Sequence, residues 1–155
     1  MTEYIKTIRK KVEHDPVMQC GASVIVVNGQ GDVLLQHRAD EDAWGYHGGA
    51  VELGEDVEAA ACRELQEETG LIAGKMTLLG VFSGEGMHHI YPNGDEVYNV
   101  DIVYICDDYS GSICPQQGEV TELGWFAQDQ LPSNLFGPNK RAMAAFLQKG
   151  RQDNG

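Results

Sequence analysis

"GAVELGEDVEAAACRELQEETGL", Gly49 to Leu71, holds seven acidic residues and one arginine. Like charges one helical turn apart repel and cost stability. A chain that crowds carboxylates in this way needs water, a partner surface or a cation to offset them. Asp56 suits the residue that starts a helix, and Gly70 suits the position just past its end. Between them Val57 to Thr69 is rich in good helix formers, among them Ala59, Ala60, Ala61, Leu65 and Gln66. On a helical wheel Glu64, Glu67 and Glu68 fall within an arc of about 100°. Ala61, Cys62, Leu65 and Thr69 occupy roughly the opposite side and are the expected packed face. The three glutamates are therefore expected to project together from an exposed rim.

The plainer alternative is a solvated acidic face. Three features favour a cation. Only Arg63 lies nearby to balance the charge. The glycine-rich stretch Gly45 to Gly54 lets backbone groups approach a ligand closely. Hard carboxylate oxygens converging on one spot suit Mg2+ or Mn2+. Magnesium takes one or two protein carboxylates and completes its shell with water and phosphate, so a larger cluster suggests more than one ion and a polyphosphate substrate.

Reading outward, "CGASVIVVNGQGDVLLQHR" is expected to form a hairpin around a Gly-rich turn. "MTLLGVFSGE" reads as a strand. Asn93-Gly94 signals a second hairpin, leading into a long strand from Val97 to Cys106. "EVTELGWFA" reads as a further strand. A terminal helix is expected over Asn139 to Lys149, with Pro138 at its start, Gly150 at its end and "RQDNG" frayed. Strands, a helix, more strands and a helix predict helices packed on a mixed sheet, an α/β (α+β) architecture. The length of 155 residues suggests one domain spanning 1–155.

Gly49, Glu55 and "RELQEETGL" from Arg63 to Leu71 resemble the signature of the Nudix hydrolases at every specified position. "VLLQHR", Trp44 before the glycines, and "GWF" followed by "LP" extend the resemblance over about residues 18–147. It implies a Nudix-like α/β/α sandwich, a mixed β-sheet flanked by helices. It also implies a metal-dependent pyrophosphohydrolase that cuts a phosphoanhydride bond of a nucleoside diphosphate linked to another moiety. By the same resemblance Glu64, Glu67 and Glu68 are the expected ligands of Mg2+ or Mn2+, with the Gly48 carbonyl as another. Glu55, with Arg63, is expected to orient the cluster. The general base stays open between Glu64, Glu119 and Glu122.

One departure is His47, where relatives usually carry proline before the two glycines. Histidine is expected to free the loop and to offer a donor to a phosphate, or to be a tolerated substitution. No marker of a particular substrate class is found after the signature. Trp44, Tyr46, Tyr91, Tyr98 and Phe136 are candidates for a base-stacking platform or for packing. His88 and His89 are read as phosphate contacts or a solvated loop tip. A catalytically weak nucleotide-sensing module is the alternative function, though such modules usually lose glutamates from the signature.

The net charge of −13 repels polyanions and argues against long nucleic acid, leaving an RNA 5′ end open. Composition is that of a globular protein, 42% hydrophobic and 23% charged. No apolar run reaches the ~18 residues a membrane span needs. No signal-peptide core is found, so the expected location is the cytoplasm. Cys20, Cys62, Cys106 and Cys114 form no CxxC pair and are read as buried small hydrophobes in a reducing compartment. A homodimer is possible by analogy, with "EYIKTIRKKV" as a candidate interface strand.

Overall fold

Two long apolar strands lie side by side at the centre of the molecule. The computed structural model describes residues 2–114 and 120–154, without the side chains of residues 121 and 152–154. Strand β1 is Val17–Val26 and β2 is Val33–Arg38. The short strands β3, Trp44–Gly45, and β4, His47–Ala50, precede the acidic helix. Strands β5, Ile72–Ala73, β6, Thr77–Phe82, and β7, His88–Ile90, lead to β8, Glu96–Cys106. Strands β9, Tyr109–Ser110, and β10, Val120–Phe126, follow. Helix α1 is Glu3–Val12, α2 is Val57–Thr69 and α3 is Lys140–Asn154.

The main sheet runs β4-β1-β8-β6, and β7 also pairs with β8. Strands β1 and β8 are parallel, in register from Val17↔Val97 to Val26↔Cys106, and their other neighbours are antiparallel. A second sheet runs β10-β2-β3, and β5 pairs with β9. The sheet is thus mixed and flanked by helices, as the order of elements predicts. Parallel strands covered on both faces read as continuous apolar runs. Along β1, Ala22, Val24 and Val26 pack with Ala60, Ala61 and Leu65 of α2. Ile25 packs the other way, with Ala142, Met143 and Phe146 of α3. Alternation of side chains along one strand thereby fills two cores.

The hairpin expected around "NGQGD" is only half right. Val27 and Val33 form a single antiparallel bridge, and Asn28 N donates to the Asp32 carbonyl at 3.0 Å. Beyond the turn the strands part into different sheets, because each has another partner for its backbone. The Asn93-Gly94 hairpin forms as expected, with His88 opposite Tyr98 and Gly94 in the left-handed region. "EYIKTIRKKV" is not a strand but α1, held by Arg9. Its guanidinium donates to the carbonyls of Glu13 at 3.0 Å, Asp15 at 2.7 Å and Glu96 at 2.7 Å. The terminal helix does not stop at Gly150 but continues to Asn154. Of the cysteines only Cys106 is buried; Cys20 and Cys114 are exposed and Cys62 is half-buried. No described helix is long and apolar enough to cross a membrane.

Candidate functional site

Helix α2 begins at Asp56, whose carbonyl accepts the Ala60 N–H at 2.9 Å; its side chain makes no capping bond. Gly70 ends the helix at φ +81°, where a Cβ would meet the Ser112 carbonyl at 2.7 Å. Between these ends, packing of Ala60, Ala61 and Leu65 on β1 sets the rotation of α2. That rotation differs from the sequence expectation. Ala60, Ala61, Leu65 and Thr69 are buried, but so are Glu64 and Glu68; Cys62 is only half-buried. Of the three glutamates only Glu67 is exposed. The wheel gives the arc correctly, but the packed face extends into it.

Arg63 organises the exposed side. Its guanidinium grips Glu55 with two bonds, Nε to Oε2 at 2.8 Å and Nη2 to Oε1 at 3.0 Å. Nη1 donates to Glu64 Oε1 at 2.9 Å and lies 3.4 Å from Glu67 Oε2. Hydrogen bonds from Arg63 hold the Glu55 carboxyl below the usual carboxylate range. Bonding to Glu55, and then to Glu64, holds the Arg63 guanidinium well above its ordinary value despite burial.

Glu64 and Glu68 lie deeper. Burial pushes the Glu64 carboxyl up, against the pull of Arg63. Burial, with the neighbouring Glu64 charge, pushes Glu68 up to about 8, against the bonds from Gln36 and Gly48. Glu68 Oε1 accepts the Gly48 N–H at 2.8 Å and Oε2 accepts the Gln36 amide N–H at 2.5 Å. The glycine pair is a steric requirement. A Cβ on Gly48 would collide with Ser23 and the Ala22 carbonyl, and one on Gly49 would press on the Glu64 carboxyl at 2.4 Å.

Glu64, Glu68, Gly48 and Gly49 line one end of a cleft of about 480 Å³. Arg38, Tyr91 and Asn93 line it too, as do Thr2, just before α1, and Ile5 and Arg9 of α1. A smaller cavity of about 90 Å³ shares Gln36, Arg38 and Tyr91 with the cleft and adds Asn99, Asp101, Phe136 and Asn139. The Arg38 guanidinium lies 4.3 Å from the Phe136 ring centre and 5.6 Å from that of Tyr91. Among the described residues no three acidic, histidine or cysteine side chains are gathered closely enough to hold an ion as they stand. Arg63 holds Glu64 and draws Glu67 outward, while Gln36 and Gly48 hold Glu68. The donor set nevertheless fits a hard divalent cation. All its side-chain donors are carboxylate oxygens, and both hydrogen bonds to the buried Glu68 come from neutral amides.

The remaining expectations separate clearly. Glu119 lies outside the described residues. Glu122 is exposed on β10, opposite His37, and lines neither cavity. His47 neither frees the loop nor reaches for phosphate: it is fully enclosed in β4, 2.6 Å from Gln36 Oε1 and 3.1 Å from the Leu34 carbonyl. Burial lowers its pKa to about 4. His88 and His89 are half-buried in β7 and face carboxylates, Glu96 at 2.7 Å and Glu41 at 2.9 Å. Of the five aromatics, Tyr46, Tyr91 and Phe136 line a cavity, while Trp44 and Tyr98 do not. Sequence reasoning missed Gln36 and the contribution of α1. Gln36 sits on a strand buried on both faces, where no alternation marks a functional position.

Comparison with known proteins places this geometry. A model of the NUDIX domain matches residues 18–148. A Bacillus subtilis protein named "Putative 8-oxo-dGTP diphosphatase" is 31% identical over 133 residues, 86% of this chain and 82% of that protein. The NAD-capped RNA hydrolase NudC of Pseudomonas aeruginosa is 28% identical over 149 residues; the match spans 87% of this chain but only 49% of that protein. The crystal structure of a MutT NUDIX hydrolase from Burkholderia pseudomallei superposes with a TM-score of 0.70 at 31% identity, covering 83% of this chain and 98% of that one. The chain therefore belongs to the Nudix hydrolase family, in its MutT-like branch, whose enzymes act on acid anhydrides of phosphorus and generally use divalent metal ions.

Proposed function

We propose that this chain is a pyrophosphohydrolase cutting a phosphoanhydride bond of a nucleoside diphosphate linked to another moiety, with Mg2+ or Mn2+ as cofactor. The observation that carries this reading is the pair of buried carboxylates, Glu64 and Glu68, at one end of a cleft that also presents Arg38 and Tyr91. Glu64, Glu67, Glu68 and the Gly48 carbonyl are the proposed ligands. Ions bound there would activate water and mask charge on the phosphates. Glu55 holds Arg63 through two bonds, and Arg63 fixes Glu64 from the side. Arg38, stacked on Phe136, offers positive charge to a phosphate in the cleft. Glu64 is the preferred general base, because it lines the cleft and burial raises its proton affinity. Glu119 is the second choice, and Glu122 falls behind because it is exposed on β10.

The cleft suits a nucleotide-sized ligand, with Tyr91 in its wall as the aromatic candidate to meet a base. A net charge of −13 weighs against long RNA. Acting on an RNA 5′ end is the second reading, favoured by the likeness to an NAD-capped RNA hydrolase. Four free cysteines fit the cytoplasm. The test is phosphate release with Mn2+ across dNTPs, oxidised dGTP, ADP-ribose, nucleotide sugars, diadenosine polyphosphates and capped RNA. Glu67→Gln should lower the activity found by about 100-fold or more. Full activity in that variant, or undiminished turnover in excess EDTA, would overturn the assignment. A nucleotide that binds without turnover would favour the sensing alternative.

A further inference from the structure

Three buried polar side chains from three elements form one unbroken line running inward from the cleft wall: Glu68 from α2 and Gln36 from β2, which line the cleft, and His47 from β4, which does not. In the order His47, Gln36, Glu68, their exposures are 0%, 5% and 5%. Taking such groups out of water is costly unless each finds partners. Here each does. In the ionised form that would bind a cation, Glu68 only accepts, so the Gln36 amide nitrogen faces it across 2.5 Å. That leaves Gln36 Oε1 directed at His47 Nδ1 across 2.6 Å, and an amide oxygen only accepts, so in this arrangement the proton belongs on Nδ1. The ring is held in turn by the packing that encloses it; with its one proton on Nδ1, Nε2 only faces the Leu34 carbonyl at 3.1 Å. The opposite oxygen of Glu68 is pinned by the Gly48 N–H at 2.8 Å.

A terminal amide torsion is soft, and a glutamine alone orients poorly. An imidazole behind it removes the freedom to flip. Proline at position 47 would offer no such donor. We infer that Gln36 and His47 are positioning residues that hold Glu68 in one orientation for its divalent ion, an inference that rests on Glu68 being a metal ligand. Neither residue is asked to touch the reacting atoms. Histidine at position 47 is then a support acting through a neighbour rather than a loosened loop.

The experiment is Mn2+ titration followed by electron paramagnetic resonance, with unfolding in EDTA measured on the same proteins. Glu68→Gln calibrates the site. If it leaves Mn2+ affinity unchanged, the metal-site reading itself fails. If it weakens binding, the positioning inference is tested by Gln36→Leu, expected to raise the Mn2+ Kd about tenfold or more. His47→Phe should raise it in the same direction. His47→Asn, which places an amide donor near Nδ1, should restore most of the affinity. The Gln36→Leu/His47→Phe double variant should bind no worse than Gln36→Leu alone, because the two act in series. Unchanged Mn2+ affinity in Gln36→Leu, with only lower stability, would reduce the line to packing and overturn the inference. Should Gln36→Leu fail to fold, the contrast between His47→Phe and His47→Asn decides, and equal affinity in those two overturns it as well.

Discussion

Glu64 and Glu68 occupy the enclosed half of α2, and burial sets them apart from Glu67. A carboxylate in water needs no partner, whereas one packed against Gly48 and Gly49 must find donors. This close packing ties the position of the Glu64 carboxyl to the absence of a side chain at Gly49. A Cβ there would come within 2.4 Å of the Glu64 carboxyl carbon and push that group aside. Gly49→Ala should lower turnover by roughly 10- to 100-fold while the protein still melts cooperatively, a result read from kinetics and a thermal scan. His47 gives a second prediction. Its pKa is about 4 in the fold, well below the ordinary value of 6.5, because burial disfavours the charged ring. The unfolded chain therefore binds the extra proton first as pH falls. Stability present above the ordinary value is lost between there and about 4, by up to about 3 kcal/mol. Glu68 acts in the opposite sense, its raised pKa favouring the fold at lower pH. His47→Asn removes only the histidine component. Urea unfolding at about pH 7 and about pH 4.5, in EDTA, should show the variant losing less stability than the parent, and equal losses would refute the burial argument.

Elements that are made locally are the ones that can be read from the chain. Helix α2 carries its own start and stop at Asp56 and Gly70, and the β7–β8 hairpin carries Asn93-Gly94. Elements set by distant partners are not legible in the same way. The two strands around "NGQGD" look like a hairpin, yet β1 prefers β8 and β4 while β2 prefers β10 and β3. Helix α1 looks like an interface strand, but Arg9 docks it on Glu96 and its other end meets Glu52. Gln36 is hidden for a related reason, since β2 is buried on both faces. The wheel of α2 locates the glutamates but not the depth to which Glu64 and Glu68 sink, because that depth depends on β4. Leu65, fully buried beneath the acidic rim, anchors this rotation. Leu65→Ala should cost about 2–5 kcal/mol in urea unfolding. It should also weaken Mn2+ binding, because α2 would no longer be seated firmly.

At the scale of the whole molecule, net charge of −13 and a cluster of carboxylates make the metal-free fold repel itself. A ligand that binds only the folded state raises stability by mass action, about 2.7 kcal/mol at one hundred times its Kd. Mg2+ or Mn2+ should therefore raise the melting temperature, and Glu68→Gln should lose most of that rise in a calorimetric scan. Helices packed on a mixed sheet are legible in outline from the order of strands and helices, and the sandwich is what the family resemblance implies. The division into separate sheets is not legible, because pairing depends on which segments compete for one edge.

The parallel seam between β1 and β8 also bears on how the chain acquires its activity. Val17 must find Val97 across most of the sequence, and closing so long a loop is slow compared with forming a local hairpin or helix. Gly48, which grips Glu68, is itself held through the pairing of β4 with β1. The central sheet that carries the candidate site is thus completed only after β8 has been made, long after Glu64, Glu68 and Gly48.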